Sequence, residues 1–408
     1  MNAFNEELIS RLGELRQQNL YRELRRVDSA QSPHVIVDGQ PCVNFSSNDY
    51  LGLANDPLLK AAAIAAVERF GAGAGASRLV CGSMGPHQEL DEAIAKFKGT
   101  QSALSFSSGY AAILGAISSL LDNNDVIVLD KLVHASIVDA ARLSGAKLRV
   151  FGHNNLNDLE KILRWADKRH ATPSVVPTDR KPRTLIVTES VFSMDGDQAP
   201  LRELVVLKEQ FGAWLMIDEA HATGLYGKSR RGLADELGVG GKIEIQLGTL
   251  GKAFGSAGGY VCGQRSLIEY LINRARPFIF STAPVPAAAA AATAGVRFVE
   301  SPAGEERRKQ LWANVDSFMH GGEPQTKTGN TERRRKLSAI IPIIIGDEGK
   351  ALKIASALRD QGIFVPAIRY PTVAHGQARL RVTISAAHEA ADLAKLRTAL
   401  HTALNVKN

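Results

Sequence analysis

Between residues 103 and 263, short apolar runs recur along the chain. They are "ALSF" (103–106), "VIVLD" (126–130), "LRVF" (148–151), "TLIVT" (184–188), "WLMID" (214–218), "IEIQLGT" (243–249) and "GYVCG" (259–263). Most lack polar alternation, the mark of strands buried on both faces. Helix-like segments separate most of them, so the pattern predicts an α/β fold: a mainly parallel sheet covered on both faces. We place this large domain at 57–285.

The flanks read differently. Phe4, Leu8, Leu12 and Leu15 recur at helical spacing, which predicts an amphipathic helix over residues 4–26. The stretch "HVIVDGQPCVNF" predicts a hairpin turning at Asp38-Gly39. Helix and hairpin together form an N-terminal segment, 1–56. After "STAPVP" comes a long alanine-rich helix, then strands at "LSAIIPIII" and "RLRVTIS" and helices at 348–361 and 387–403. These predict a smaller α+β domain, 286–408. Two polar stretches, 170–183 and 321–336, read as surface loops, and no internal repeat is visible.

The length of 408 residues suits more than one packed unit. The net charge is +7, with the densest basic cluster at Arg333-Arg334-Arg335-Lys336. The remaining positive charge is dispersed, which favours a generally basic surface over a nucleic-acid site. Cys42, Cys81 and Cys262 form no Cys-x-x-Cys pair and stand at no metal-ligand spacing to a histidine, so no metal site is expected. Reduced cysteines, the lack of a signal-peptide core and the lack of an 18-residue apolar span predict a cytoplasmic chain off the membrane.

The stretch "MIDEAHATG" (216–224) contains Asp-Glu-Ala-His, the signature of a class of nucleic-acid-dependent ATPases. Such an enzyme needs a phosphate-cradling G-x-x-x-x-G-K-[ST] loop. "GTLGKAFG" has Ala253 after Lys252 and Gln246 at the first glycine position; near "GLYGKSR", Ala222 fills that position. Both also follow the acidic motif, the reverse of the usual order. "GAGAGA" (71–76) follows a helical stretch and not a strand, so it fails as a dinucleotide fingerprint.

Position gives Asp218 another role. It ends a buried run, and ligands of open α/β sheets sit beyond the carboxyl ends of the strands. His221 follows three residues later. Lys252 comes directly after another strand, among glycine, alanine and serine, where a flat molecule could lie on the backbone and the amine could bond to it. In "FSSGYAAILGAISSLL", Ser107-Ser108 can cap a helix starting near Gly109, with Ile113, Ile117, Leu120 and Leu121 on its core face. The free N–H groups at such a start bind phosphate. A helix start for a phosphate, an aspartate for a ring nitrogen and a lysine for an aldehyde together describe pyridoxal 5′-phosphate.

These motifs also carry a resemblance. "NFSSNDYLGLA" (44–54), "GASRLVCG" (75–82), "HQELDEAIAKF" (87–97), "DKLVHASI" (130–137), "TESVFSMDGDQAPL" (188–201), "MIDEAHATG", "GTLGKAFG" and "PTVAHGQARLRVTISAAHE" (371–389) occur in order over residues 44–389. The chain is similar to the α-oxoamine synthases, fold-type-I pyridoxal-phosphate enzymes. It looks most like the branch that joins L-alanine to a pimeloyl thioester, carried by coenzyme A or an acyl carrier protein. Other branches, which use glycine or serine, are the alternatives: 5-aminolevulinate synthase, 2-amino-3-ketobutyrate ligase and serine palmitoyltransferase. The triplet Tyr370-Pro371-Thr372 departs a little from the pattern.

The resemblance implies a role for each matched residue. Lys252 bonds to the cofactor aldehyde, Asp218 pairs with the ring nitrogen, and His134 stacks on the ring. Ser193 and His221 contact the ring hydroxyl. Gly109, Tyr110 and Thr249 hold the phosphate, and Thr282 reaches that of a neighbouring subunit in a homodimer. Arg369 binds the amino-acid carboxylate, with Arg22 and Thr372 on the acyl substrate.

Overall fold

A computed structural model describes residues 2–171, 181–321 and 337–405. The stretch 321–336 beyond Gly321, with its basic cluster Arg333–Lys336, and most of the stretch 170–183 lie outside the described residues. The chain forms two compact units. One comprises Leu53–Ser193 and Asp197–Arg308; the other comprises Met1–Gly52, Met194–Gly196 and Lys309–Asn408.

The larger unit holds a seven-stranded sheet. From one edge the strands are Ser102–Phe106, Gly259–Gly263, Ile245–Thr249, Trp214–Asp218, Thr184–Glu189, Val126–Asp130 and Lys147–Phe151. The five strands from Ile245–Thr249 to Lys147–Phe151 run parallel. Their apolar runs are continuous because both faces are covered: Val126, Ile127 and Val128 are all 0 % exposed.

Gly259–Gly263 runs antiparallel to both neighbours, a detail the apolar pattern alone does not convey. Its physical reason is the short connection Leu250–Gly258. A parallel crossover needs a dozen or more residues, so the chain can only turn back. That turn carries Lys252.

The helix Gly109–Leu120 starts as expected, with Ser108 Oγ accepting from the Ala111 N–H at 3.0 Å. Ile113, Ile117 and Leu121 are buried against the sheet, whereas Leu120 is only half-buried. The alanine-rich helix Pro286–Glu300 buries Ala289, Ala292, Thr293, Val296 and Val299. Its Gly295 allows close backbone approach, since a Cβ there would lie 2.2 Å from the Phe254 carbonyl oxygen. The helix therefore packs directly behind the lysine turn.

In the smaller unit, His34–Val37 and Gln40–Asn44 form the expected hairpin, with Asp38 and Gly39 at φ +50° and +80°. Ile363–Phe364 adds to it in parallel, so this sheet joins residues from both ends of the chain. A second sheet, antiparallel, contains Ile340–Gly346, Ala378–Thr383 and Ala367–Ile368. Helices Glu348–Asp360 and Ala390–Asn405 accompany the sheets.

The first helix is shorter than its spacing predicts: it covers Ala3–Gln17. Asn19 is left-handed at φ +56°, and the Leu20 N–H returns to the Leu15 carbonyl at 2.8 Å. This is a Schellman-type stop, for which asparagine is suited. Arg22 thus lies in irregular chain beyond the helix. No helix among the described residues is long and apolar enough to cross a membrane.

Candidate active site

The carboxyl ends of the central strands bring the chemistry of the larger unit together. Asp218 is the last residue of its strand and is buried, and its Oδ1 accepts from the Ala220 N–H at 2.8 Å. Burial raises its pKa above the usual carboxylate value, opposed by the charge of Lys252. The turn after Asp218 places His221 so that its Nε2 lies 2.7 Å from Lys252 Nζ.

The Lys252 turn is closed by three main-chain bonds: Leu250 N–H to Gly258 O, Gly255 N–H to Lys252 O and Ser256 N–H to Leu250 O, each 2.9 Å. Gly255 has φ +67°, and a Cβ there would lie 2.6 Å from the Leu53 carbonyl carbon. A side chain would therefore be both strained and blocked.

Glu219, the second acid of the Asp-Glu-Ala-His stretch, is turned into the protein. Its Oε2 binds Lys98 Nζ at 2.5 Å and its Oε1 accepts from Ala234 N–H at 2.9 Å. Both side chains of this ion pair are buried, at 1 % and 0 % exposure. An inward, fully engaged glutamate cannot share a nucleotide's magnesium with Asp218, which removes the ATPase reading.

The helix start fits a phosphate. A Cβ on Gly109 would lie 2.7 Å from Thr249 Cγ2, and one on Gly259 would lie 2.5 Å from the Gly109 nitrogen. Only glycine leaves this helix N-terminus bare. Beside it, the Thr249 hydroxyl oxygen is buried without a hydrogen-bond partner among the described residues. A buried orphan hydroxyl is costly unless a ligand completes it. Tyr110 is half-exposed, and its hydroxyl donates to Asp139 at 2.7 Å.

His134 caps the helix Ala135–Ser144, its Nδ1 accepting from the Ser136 N–H at 3.2 Å. The ring reaches solvent, yet surrounding protein pushes its pKa below the ordinary imidazole value, with Asp218 opposing. Ser193 is buried, and its N–H donates to Glu189 Oε2 at 3.1 Å. Thr282 is exposed, after the short helix Arg276–Ile279.

Glu189 is the site residue that motif reasoning overlooks. It ends the strand beside Asp218, in register with it. The available signal was the one that drew attention to Asp218: an acid closing a buried apolar run. Its Oε1 is buried without a partner among the described residues, and burial, then Asp218, pushes its pKa up to about 8. Burial and the neighbouring Asp218 thus favour its protonated form.

The unfolded chain ionises this group near pH ~4.3 and the folded chain near 8, so over that window the unfolded state sheds its proton first. Glu189 thus subtracts stability progressively as pH rises through the window. Glu189→Gln should lessen the fall of the cofactor-free protein's urea midpoint between about pH 4.5 and 8. Identical pH profiles for variant and parent would mean that Glu189 is ionised in the fold.

The smaller unit holds the other three residues. Arg369 is buried, and its guanidinium donates to the carbonyls of Asn19 and of Tyr21, the latter at 3.2 Å. Arg22 Nη2 donates to the Tyr370 carbonyl at 2.8 Å, so Arg22 and Arg369 are held on one patch. Thr372 is exposed, its N–H bonded to the Arg369 carbonyl at 3.0 Å.

The chain also matches known proteins over most of its length. The model of the class I and II aminotransferase family matches residues 40–400. The 8-amino-7-oxononanoate synthase of Geotalea daltonii is 46% identical over 98% of this chain and 97% of its own. That of Thermoanaerobacter pseudethanolicus is 42% identical over 94% and 93%. Among solved structures, a serine palmitoyltransferase from S. paucimobilis with PLP and myriocin bound superposes with a TM-score of 0.85, at 30% identity and full coverage of both chains. An 8-amino-7-oxononanoate synthase from Francisella tularensis gives 0.69 at 29% identity, over 89% of this chain and 96% of that one. Near-full-length identity of this size means that the chain belongs to the 8-amino-7-oxononanoate synthases, pyridoxal-phosphate-dependent acyltransferases of the class I and II aminotransferase family.

Proposed function

We propose that the chain condenses L-alanine with a pimeloyl thioester, giving 8-amino-7-oxononanoate, carbon dioxide and free thiol, a step of biotin synthesis. The observation that carries this reading is the near-full-length similarity to synthases of that name, joined to the Lys252–His221–Asp218 cluster. Its seat is the cytoplasm and its working form a homodimer, in which exposed Thr282 serves the neighbouring subunit's phosphate site.

When bound, pyridoxal phosphate supplies an electron sink for the charge left on the amino acid's α-carbon after proton loss. The chain's own groups do the rest. Lys252 Nζ is the covalent anchor and, as a free amine, the base that takes the α-proton of L-alanine. His221 Nε2, 2.7 Å away, orients that amine through a hydrogen bond. Asp218 keeps the ring nitrogen charged, and its burial strengthens that attraction. His134 covers the ring, and Ser193 and His221 hold its hydroxyl. The Gly109 and Tyr110 N–H groups and the Thr249 hydroxyl hold the phosphate. Arg369 binds the alanine carboxylate, while Arg22 and Thr372 position the acyl chain.

The deciding experiment mixes cofactor-loaded protein with L-alanine, glycine or L-serine and a panel of acyl thioesters, and identifies the ketone by mass spectrometry. The expected product is 8-amino-7-oxononanoate from L-alanine and a pimeloyl thioester. A preference for glycine with a succinyl or acetyl thioester, or for serine with a palmitoyl one, would move the chain to another branch.

The orphan hydroxyl gives a separate prediction. Thr249→Val keeps the shape and removes the unsatisfied oxygen. The cofactor-free protein should unfold at the same or a slightly higher temperature. Pyridoxal phosphate should bind roughly 10- to 100-fold more weakly, the loss of one hydrogen bond to a charged group. Equilibrium dialysis and thermal unfolding measure the two. Unchanged affinity would place the phosphate elsewhere.

A further inference from the structure

The neighbouring parallel strands Lys147–Phe151, Val126–Asp130 and Thr184–Glu189 end side by side in the larger unit. The segments after the last two carry His134 and Ser193, both given ring contacts above. The segment after the edge strand carries His153, which has no part in the chemistry described so far. Its side chain is 26 % exposed and lies between two carboxylates. Nδ1 is 2.9 Å from Asp130 Oδ1, and Nε2 is 2.8 Å from Asp197 Oδ2. Asp130 closes its strand and is buried; Asp197 belongs to the Ser193 segment.

Ionised carboxylates only accept, so both ring nitrogens must donate, and only the imidazolium has two N–H groups. Burial works against that charge, yet the hydrogen bonds to Asp130 and Asp197 outweigh it and push the pKa up to about 10. Each bond holds one segment. Asp130 Oδ1 also accepts from the Leu132 N–H and Oδ2 from the Asn154 N–H, both at 2.8 Å, which sets the turn leading to His134. On the other side, the Phe192 N–H donates to the Asp197 carbonyl at 2.9 Å and the Ala199 N–H to the Ser190 carbonyl at 3.0 Å, so the two arms of the Ser193 segment are paired. The Phe192 ring, next to Ser193 in the chain, meets the His153 ring edge-on with centres 4.4 Å apart. Asn154 Nδ2 adds a bond to Asp197 Oδ2 at 3.0 Å. Glu189 joins the same two segments a second time: it accepts from the Ser193 N–H and faces the His134 N–H.

We propose that His153 is a positioning residue for the cofactor, an imidazolium strap that fixes the spacing between the His134 ring and the Ser193 hydroxyl. Two segments that grip one flat molecule must keep their separation to within about 0.5 Å, and groups that lock them from behind do this best. Charge-assisted hydrogen bonds suit the task, being short and directional. A neutral side chain at this position would hold at most one of the two carboxylates with full strength and would leave buried Asp130 without its counter-charge. The inference rests on the ring contacts given above to His134 and Ser193.

The test uses the full-length protein with His153→Gln and with the milder Asp197→Asn, whose side chain is 42 % exposed. Arg230→Gln, which breaks another ion pair of the same unit, to Glu305 at 2.6 Å, is the control for lost stability alone. Equilibrium dialysis should show pyridoxal phosphate bound about tenfold more weakly in both strap variants, as expected for a lost charge-assisted bond. The visible absorption band of the bound cofactor should shift as well. The control should keep the parent affinity and band. In the cofactor-free parent, the His153 ring-carbon resonance, assigned by its loss in His153→Gln, should remain that of a charged ring up to about pH 9. A neutral ring at neutral pH, parent affinity and band in both strap variants, or an equal loss in the control would overturn the proposal. His134→Ala and Ser193→Ala, run in parallel, separate the two readings. If these also leave affinity and band unchanged, the ring contacts themselves are wrong; if they alone change them, the strap is.

Discussion

Lys252→Ala should abolish useful turnover, a loss on the order of 10⁴-fold, because it removes both the covalent anchor and the base. The variant should still take up pyridoxal phosphate noncovalently, since the Gly109 helix start and the Thr249 hydroxyl are untouched. In the parent protein, borohydride should fix the cofactor to Lys252, and peptide mapping reads the position. Label on Lys228 or Lys131 would defeat the assignment. So would a Lys252→Ala enzyme that keeps more than a few per cent of its rate. The neighbouring His221 cannot substitute for the amine, because it offers no primary amine to bond to an aldehyde.

Asp218→Asn is the second large effect. The substitution keeps shape and the hydrogen bond from Ala220 but removes the charge that sustains a protonated ring nitrogen. A loss of ~3 kcal/mol in transition-state stabilisation corresponds to on the order of 10²-fold in kcat. Cofactor affinity should also fall, because a buried ring cation would lack its counter-charge. Steady-state kinetics with L-alanine and pimeloyl-CoA measure the first and dialysis the second. Near-normal turnover would reduce Asp218 to a cap for the turn that follows it.

The large sheet was legible because its central strands are buried on both faces, so burial writes itself as uninterrupted apolar runs such as 126–130 and 214–218. The lysine was legible from its small neighbours, which the tight turn and the Leu53 backbone require. Three things were harder to read. Strand direction at Gly259–Gly263 depends on the length of a connection, not on hydropathy. The end of the first helix depends on one left-handed asparagine, while its apolar spacing continues to suggest a helix. Arg16 and Arg369, 353 positions apart, line one cavity of the smaller unit with Arg22, Arg25 and Arg359, and no local pattern announces such a meeting. Glu189 carries the same signal in the sequence as Asp218, an acid closing a buried apolar run.

The lysine turn is fastened at both ends by its strands and braced from behind, where Gly295 lets a helix backbone touch Phe254 and Ser256 Oγ donates to the Ala288 carbonyl at 2.8 Å. Its main chain is therefore clamped, and the four methylenes of Lys252 are the only joints left. The amine, 2.7 Å from His221 Nε2, can reorient by rotation about its own bonds, on the fast scale of side-chain hops. A hinged loop would have made that motion a slow, collective event. With Lys252 in the role proposed above, the amine works as a crane on a fixed mast, and proton transfer should need no movement of the main chain.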